Sequence, residues 1–282
     1  MLGSLETTRL TLRESRFLSQ KQPSGVTLFR RNILSPERHN CQDLALKIQS
    51  TRGAGPPMII AIDQEGGRVA RLKEDFPDEG PPFHLLPKDT SRKAQDYFFN
   101  YGKRLGRALV DCGINVNFAP VVDIMTPETS DAIGDRVFGS THQEVTLRAG
   151  AFLRGQNQFV GSCLKHFPGQ GRAPFDTHFH STKVPVTYRD LEQEDLQPYK
   201  VLLQDASMVM ISHCIYEEVD CVEATRSSFL LSEVLRKRYK YKGLIVSDDL
   251  TMKAVNQDIQ QWCEFLLESV VAGCDLLLVC KE

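Results

Sequence analysis

The chain has 282 residues, of which 41% are hydrophobic and 25% are charged, a composition typical of a folded protein that excludes a disordered or fibrous one. Its formal net charge of −2 means that the chain has no excess positive charge to attract nucleic acid or an anionic membrane. No apolar run reaches the ~20 residues that span a bilayer, and residues 1–10 lack the pattern of a secretory signal. We therefore expect a cytoplasmic protein without nucleic-acid or membrane partners.

The eight cysteines are scattered, without a Cys-x-x-Cys pair. Several lie inside apolar runs, where a free thiol behaves as a small hydrophobic side chain. These are Cys163, Cys214, Cys274 and Cys280. We expect reduced thiols, in keeping with a cytoplasmic location.

Strand and helix patterns alternate along the chain. Short apolar runs bounded by turn residues predict strands at residues 1–5, 25–29, 58–62, 116–120, 162–167, 208–212, 243–246 and 274–280, the first of them weak. Amphipathic spacing and end signals predict helices at residues 12–20, 36–49, 90–111, 143–158, 189–205, 229–240 and 257–272. Ser35 and Ser228 are the expected N-caps of two helices, and Gly113 and Gly273 follow the ends of two others.

This alternation predicts an α/β fold with a parallel sheet and right-handed crossovers. Eight strands are the number that closes a single (β/α)₈ TIM-like barrel, and one such barrel accounts for residues 1–282. An open doubly wound sheet is the alternative, but it would call for a Gly-x-Gly-x-x-Gly turn that the sequence lacks. Because the sequence ends two residues after the last predicted strand, we expect the final covering helix to be missing. The bare seam would leave a marginally stable barrel or be covered by a second subunit in a homodimer.

Polar side chains recur where the predicted strands end. In a parallel barrel these ends converge on one mouth, where binding and catalytic residues lie. Each residue also has a structural alternative, since Asp123 could cap a loop, His213 could be a satisfied core histidine, and Asp248 with Asp249 could cap a turn. The strand-end residues are Asp63, Asp123, Lys165, His166, His213 and Asp248.

The loop after the strand at 162–167 is the second informative feature. Pro168 and two glycines break the strand, and the polar segment that follows carries Asp176 and His178 two residues apart. A strand end, a glycine-rich turn and a loop with a carboxylate and an imidazole are typical of an α/β active site.

Four segments carry a resemblance to a known family. They are Ile-Asp-Gln-Glu-Gly-Gly-Arg-Val at 62–69, Phe-Ala-Pro-Val-Val-Asp at 118–123, Lys-His-Phe-Pro-Gly at 165–169 and Ile-Val-Ser-Asp-Asp-Leu-Thr-Met at 245–252. The chain resembles glycoside hydrolase family 3 over nearly its whole length, and more narrowly the single-domain bacterial β-N-acetylglucosaminidases of peptidoglycan recycling. The most specific marker is Asp176-Thr177-His178, which stands where that branch has Asp-Ser-His.

The resemblance implies a role for individual residues. Retaining glycosidases need a carboxylate nucleophile and a proton donor on opposite sides of the scissile bond. Asp248 matches the nucleophile, His178 the acid/base and Asp176 its orienting partner. A histidine suits proton transfer near neutral pH. The resemblance also implies sugar-binding positions at Asp63, Arg71, Arg136, Lys165 and His166.

The implied activity is that of an exo-β-N-acetylglucosaminidase that removes non-reducing N-acetylglucosamine from cell-wall muropeptides through a covalent glycosyl-enzyme intermediate. Two alternatives stay open: a β-N-acetylglucosaminide phosphorylase and a non-catalytic sugar-binding barrel. No metal or organic cofactor is implied, because His178-x-His180 without a third clustered ligand is a weak zinc pattern.

The sequence departs from the family at three places. Gln170 replaces the histidine of the usual Gly-His-Gly, and residues 172–175 are bulkier than the small ones usual there. Both changes concern the loop that carries the acid/base. The first strand lacks the family's aspartate, and we expect the family's final helical segment to be missing. None of the three removes a catalytic group.

Overall fold

The computed structural model describes residues 1–74, 76–85, 90–175, 182–252, 255 and 258–280. Its strands are β1 (Leu2–Ser4), β2 (Gly25–Leu28), β3 (Ile59–Ile62), β4 (Gln64–Gly66), β5 (Val69–Ala70), β6 (Val116–Asn117), β7 (Gly161–Phe167), β8 (Met208–Ile211), β9 (Leu244–Asp249) and β10 (Leu276–Leu278). Eight of them form a closed parallel barrel in the order β1-β10-β9-β8-β7-β6-β3-β2. The predicted barrel is confirmed, because Leu2 of β1 pairs with Leu278 of β10 and closes the sheet.

The helices alternate with the barrel strands as predicted. They are α1 (Leu12–Lys21), α2 (Glu37–Ser50), α3 (Arg92–Asp111), α4 (His142–Gln156), α5 (Tyr188–Gln193), α6 (Gln197–Leu202) and α7 (Ile259–Ala272), with a π-helix at Phe229–Arg238. Side-chain oxygens accept hydrogen bonds from free amides at several helix starts, as at Thr11, Ser91 and Asp258. Within the described part of the chain, no helix is both long and apolar enough to cross a membrane.

The core has two layers. The barrel interior is filled by side chains from the strands, and a second, larger layer lies between the strands and the surrounding helices. In that outer layer α3 and α4 approach closely at glycines: a Cβ on Gly102 would lie 2.1 Å from the Phe152 carbonyl oxygen, and one on Gly155 would lie 2.1 Å from that of Phe99. The sequence therefore needs glycine at these two positions for the helices to pack.

One helix start differs from the prediction. Pro36, not Ser35, is the N-cap of α2, and the Ser35 hydroxyl instead donates to Glu74. At the π-helix Ser228 is the N-cap, as predicted, but its side chain makes no capping hydrogen bond. The hydroxyl of Ser227 accepts the amide of Leu230 at 3.1 Å instead, so a free amide at this helix start is still satisfied by a serine.

The helix predicted at 189–205 is broken into α5, α6 and a 3₁₀ turn at Leu203–Asp205. Pro198, near the start of α6, has no amide proton and cannot lie in a helix interior. The break turns Asp195 inward, where it is 2% exposed and pairs with Arg172 at 2.9 Å. The prediction of one continuous helix over residues 189–205 was therefore wrong.

A small antiparallel hairpin, which the sequence did not predict, follows β3. It pairs β4 with β5, with Gln64 opposite Ala70. The Gln64 side chain accepts the amides of Arg71 and Leu72 at 2.8 and 2.9 Å and donates to the Leu72 carbonyl at 2.9 Å. The hairpin brings Glu65 and Arg71 to the mouth, the end of the barrel where the strands terminate.

The seam beside β10 is only partly covered by the described residues. Leu276 and Leu278 point into the buried barrel interior, whereas Leu277 and Val279 are partly exposed and pack beside Phe265 of α7. On α7 itself, Leu267 and Val271 are 68% and 82% exposed. The marginal stability and the homodimer expected from this seam stay predictions.

Candidate active site

The mouth of the barrel gathers the strand-end residues that the sequence singled out. The loop after β6 is tied to β7, since Val121 bridges with Lys165 and the Val122 amide donates to the Lys165 carbonyl at 2.8 Å. Below the mouth, Cys163 is fully buried, and burial raises the pKa of its thiol. The positive charge of Lys165 opposes this rise, and the negative charges of Asp63 and Asp248 add to it. Lys165 lies near the end of β7, Asp63 follows β3 and Asp248 lies near the end of β9, so all three are at the same end of the parallel barrel.

A network of four charged groups lies at the centre of the mouth. The Lys165 ammonium donates to Asp63 and to Glu65, each at 2.7 Å. Glu65 also receives two hydrogen bonds of 2.8 Å from the Arg136 guanidinium. Lys165 and Glu65 have side chains only 2% exposed, so neither charge is compensated by water. Paired and hydrogen-bonded charges are the form in which ions are tolerated in a protein interior.

The charge states of this network follow from mutual stabilisation. Burial opposes ionisation of Glu65, but Arg136 and Lys165 outweigh it and hold the pKa of that carboxyl well below its usual range. Burial likewise favours the neutral form of Lys165, but Asp63 and Glu65 raise its pKa. Glu65, Lys165 and Arg136 are therefore charged at neutral pH. Together they offer donors and acceptors rigid enough to bind vicinal hydroxyl groups.

A second pair, Asp123 and His166, lies beside the network. Asp123 is 1% exposed, and one of its carboxylate oxygens lies 2.7 Å from His166 Nδ1. The other oxygen accepts the backbone amides of His166 and Gln170 at 3.2 and 2.7 Å. Because a carboxylate oxygen accepts, Nδ1 is the donor in this hydrogen bond, and Nε2 faces away from Asp123.

Arg71 completes the set of predicted sugar-binding residues. Its guanidinium lies 3.6 Å from Asp63 and 5.5 Å above the Phe29 ring, and its side chain is 25% exposed. The structure therefore brings all five together at the mouth: Asp63, Arg71, Arg136, Lys165 and His166. Their roles in binding stay predictions.

The predicted nucleophile, Asp248, lies at the end of β9 and is half-buried. One of its carboxylate oxygens accepts the Asp249 amide at 2.8 Å. The Asp249 side chain points elsewhere, accepting the amides of Thr251 and Cys280 at 3.0 Å each. Burial raises the pKa of Asp249 and those hydrogen bonds lower it. Asp249 thus ties the end of β9 to the residues that follow it and to the end of β10, and the role of Asp248 as nucleophile stays a prediction.

The loop that begins at Pro168 is anchored at both of its first glycines. The Tyr216 hydroxyl donates to the Gly169 carbonyl at 2.8 Å, and the Thr129 hydroxyl donates to the Gly171 carbonyl at 2.6 Å. A Cβ on Gly171 would lie 2.0 Å from the Ile124 carbonyl oxygen. The predicted acid/base pair, Asp176 and His178, and also His180, lie outside the described residues. Among the residues that the structure describes, no three His, Cys, Asp or Glu side chains cluster as metal ligands would.

Two functional-site residues escaped the sequence reasoning. Glu65 was passed over because it follows the strand end by three residues, and only the hairpin turns it back to Arg136. Asp195 lies inside a segment predicted as one helix, yet it holds Arg172 of the loop that begins at Pro168. For Glu65, the available sequence signal was an acid within a run of polar residues after β3. The sequence reasoning found no such signal for Asp195.

Comparison with known proteins gives one family match, one sequence relative and two similar solved structures. The chain matches the N-terminal domain of glycosyl hydrolase family 3 over residues 2–282. A protein of Idiomarina loihiensis named β-hexosaminidase is 33% identical over 281 residues, which span 98% of this chain and 82% of that protein. The crystal structure of NagZ from Neisseria gonorrhoeae superposes with a TM-score of 0.90 at 33% identity, covering 99% of this chain and 80% of the other. A family 3 β-N-acetylglucosaminidase from Paenibacillus sp. superposes with a TM-score of 0.92 at 27% identity over 100% of this chain and 53% of the other.

Proposed function

This chain belongs to glycosyl hydrolase family 3, and from that membership we propose that it is a retaining exo-β-N-acetylglucosaminidase. Its relatives from Idiomarina loihiensis and Tolumonas auensis, 33% and 35% identical, are both named β-hexosaminidase. One observation carries the proposal. A half-buried carboxylate, Asp248, ends its strand at the same mouth as a buried network of Asp63, Lys165, Glu65 and Arg136.

In the proposed first step the network and His166 hold the hydroxyl groups of a terminal N-acetylglucosamine. His178, oriented by Asp176, protonates the glycosidic oxygen while a carboxylate oxygen of Asp248 attacks the anomeric carbon. The bond to the leaving group breaks as the bond to Asp248 forms. In the second step His178 takes a proton from water, which displaces Asp248 and releases the sugar with its β-configuration retained.

The substrate is proposed to be a muropeptide with N-acetylglucosamine at its non-reducing end, cleaved in the cytoplasm. The charged groups that would hold the sugar ring are buried or half-buried, and exo action is proposed from the relatives named β-hexosaminidase. Mass spectrometry of a muropeptide digest tests this proposal. Release of single N-acetylglucosamine units is expected, and release of larger oligosaccharides would contradict exo action.

The nucleophile is tested with Asp248→Asn, with Asp96→Asn as the control because Asp96 is a 56% exposed surface acid on α3. Turnover of a chromogenic β-N-acetylglucosaminide should be abolished in the first variant and unchanged in the second, with both folded by circular dichroism. Proton NMR of the wild-type reaction should show the β-anomer of N-acetylglucosamine first. If the α-anomer comes first, the mechanism is inverting and the assignment of Asp248 as nucleophile is wrong.

The acid/base is tested with His178→Ala on substrates that differ in leaving group. Aryl glycosides with acidic phenols need little protonation, so they should lose much less activity than substrates with alkyl leaving groups. General acid catalysis contributes ~10²–10⁴-fold, which sets the size of the expected difference. Equal losses for all leaving groups would show that His178 is not the proton donor.

A phosphorylase is the second candidate, because a histidine acid/base repels a phosphate nucleophile less than a carboxylate would. Wild-type reactions with and without inorganic phosphate separate the two activities. We expect free N-acetylglucosamine in both, and accumulation of the 1-phosphate would establish the phosphorylase instead.

A further inference from the structure

His213 follows β8 and is completely buried beside the end of β9. Its Nδ1 lies 2.7 Å from the Thr225 hydroxyl, and its Nε2 lies 3.2 Å from the carbonyl oxygen of Asp249. The ring also meets Phe265 edge to face, with the centroids 5.9 Å apart. The imidazole therefore has a polar partner on each nitrogen and an aromatic neighbour at its side.

The partners of this ring assign its protons. A carbonyl oxygen can only accept, so the hydrogen bond to Asp249 requires a proton on Nε2. Burial lowers the pKa of His213, although the charge of Asp248 opposes the effect, so the neutral form dominates near pH 7. In the neutral ring with Nε2–H, Nδ1 is an acceptor 2.7 Å from the Thr225 hydroxyl, which also lies 2.9 Å from the Ser212 carbonyl. The hydroxyl has one proton for these two acceptors, so the contact with the Asp249 carbonyl, and not Thr225, assigns the proton to Nε2.

The bond to Asp249 reaches the nucleophile through one residue of backbone. The carbonyl of Asp249 is held by His213, and its amide donates to the Asp248 carboxylate at 2.8 Å. The Asp249 side chain is held separately by Thr251 and Cys280. With its carbonyl and its side chain both fixed, residue 249 has little freedom to rotate its amide away from Asp248.

We propose that His213 is a positioning residue, which aligns the Asp248 carboxylate by holding the backbone of Asp249 through Nε2–H. This inference rests on the proposed function, in which Asp248 is the nucleophile. His213 does not touch the sugar in this role. A residue that only filled the core would need the contact with Phe265 but not a particular hydrogen bond on Nε2.

Two variants of similar size separate positioning from packing. His213→Gln can place an amide N–H near the position of Nε2, whereas the shorter His213→Asn reaches only the position of Nδ1. Both lose the ring that packs on Phe265, so both should lower the melting temperature by a similar amount. Misalignment of a reacting group by about 1 Å costs about 100-fold in rate.

We therefore expect His213→Asn to lower kcat about 100-fold with KM changed less than about threefold, and His213→Gln to keep kcat within about tenfold of the wild type. Equal losses of kcat in the two variants would overturn the inference. If His213→Asn does not fold, His213→Leu decides, because leucine fills much of the space of the ring without a hydrogen-bond donor. A kcat about 100-fold lower at nearly constant KM supports the inference, and a kcat equal to that of His213→Gln overturns it.

Hydrogen exchange keeps this test separate from the proposed function. A wild type without β-N-acetylglucosaminidase activity would refute that function and leave His213 to be judged on the Asp249 amide alone. Exchange of this amide should be faster in His213→Asn than in His213→Gln, because only the glutamine can hold the neighbouring carbonyl. The same rate in both variants would overturn the inference.

Discussion

Glu65 is the residue whose replacement should most disturb the active site without touching an assigned catalytic group. Its carboxylate accepts two hydrogen bonds from Arg136 at 2.8 Å and one from Lys165 at 2.7 Å. Its side chain is 2% exposed, and that of Arg136 is 10% exposed. Glu65→Gln keeps the shape but removes the charge, so two buried cations would share Asp63 as their remaining carboxylate partner in the network.

The size of the effect can be worked from this geometry. Two opposite charges about 4 Å apart attract by about 4 kcal/mol at an effective dielectric constant of 20. Two such pairs are lost, but the neutral glutamine also avoids the desolvation of the carboxylate, which offsets part of the loss. Measured losses on removing one partner of a buried pair are about 3–5 kcal/mol, and we expect the same here.

Urea unfolding of Glu65→Gln and of Asp96→Asn at pH 7 measures this difference. Asp96 pairs with Arg92 on the surface, where side chains are 56% and 85% exposed, so its neutralisation should cost less than about 0.5 kcal/mol. Activity should fall as well, since Lys165 and Arg136 would no longer be held in place. A loss of stability below about 1 kcal/mol for Glu65→Gln would refute the reasoning that this network depends on its central carboxylate.

Three further predictions concern neighbouring parts of the barrel. Burial raises the pKa of Asp195 to about 6, although Arg172 opposes the rise. As the pH rises from about 4 to about 6, the unfolded chain gives up this proton before the native protein does, so the free energy of unfolding falls. Relative to Asp195→Asn, the wild type should lose roughly 3 kcal/mol in unfolding free energy across that range in urea titrations, and parallel curves would contradict this. Asp123→Asn should cost about 1–3 kcal/mol of stability and weaken substrate binding, because an acceptor for buried His166 is lost, as urea unfolding and KM would show. Gly102→Ala should cost about 1–3 kcal/mol or more by forcing α3 from α4, whereas Gly53→Ala, with open space around it, should change the melting temperature little.

The sequence alone was enough for the barrel and for most of the mouth. Alternating strand and helix patterns predicted eight barrel strands at the correct places, because strand length, turn residues and helical spacing are local properties. The position of a polar residue at the end of a parallel strand is also local information. It predicted that Asp63, Asp123, Lys165, His166 and Asp248 would share one mouth, and the barrel brings them together.

Only the tertiary structure decided which charges meet. Glu65 became the central carboxylate of the network because a hairpin turns it toward Arg136, a residue 71 positions away. His213 could be read as a core histidine or a site residue, and the structure shows it bonded to the backbone beside Asp248. Likewise, Asp195 faces Arg172 because a helix breaks near Pro198. The physical reason is common to all three: a hydrogen bond or ion pair is decided by distances of about 3 Å between groups far apart in sequence, and such distances exist only once the chain has packed.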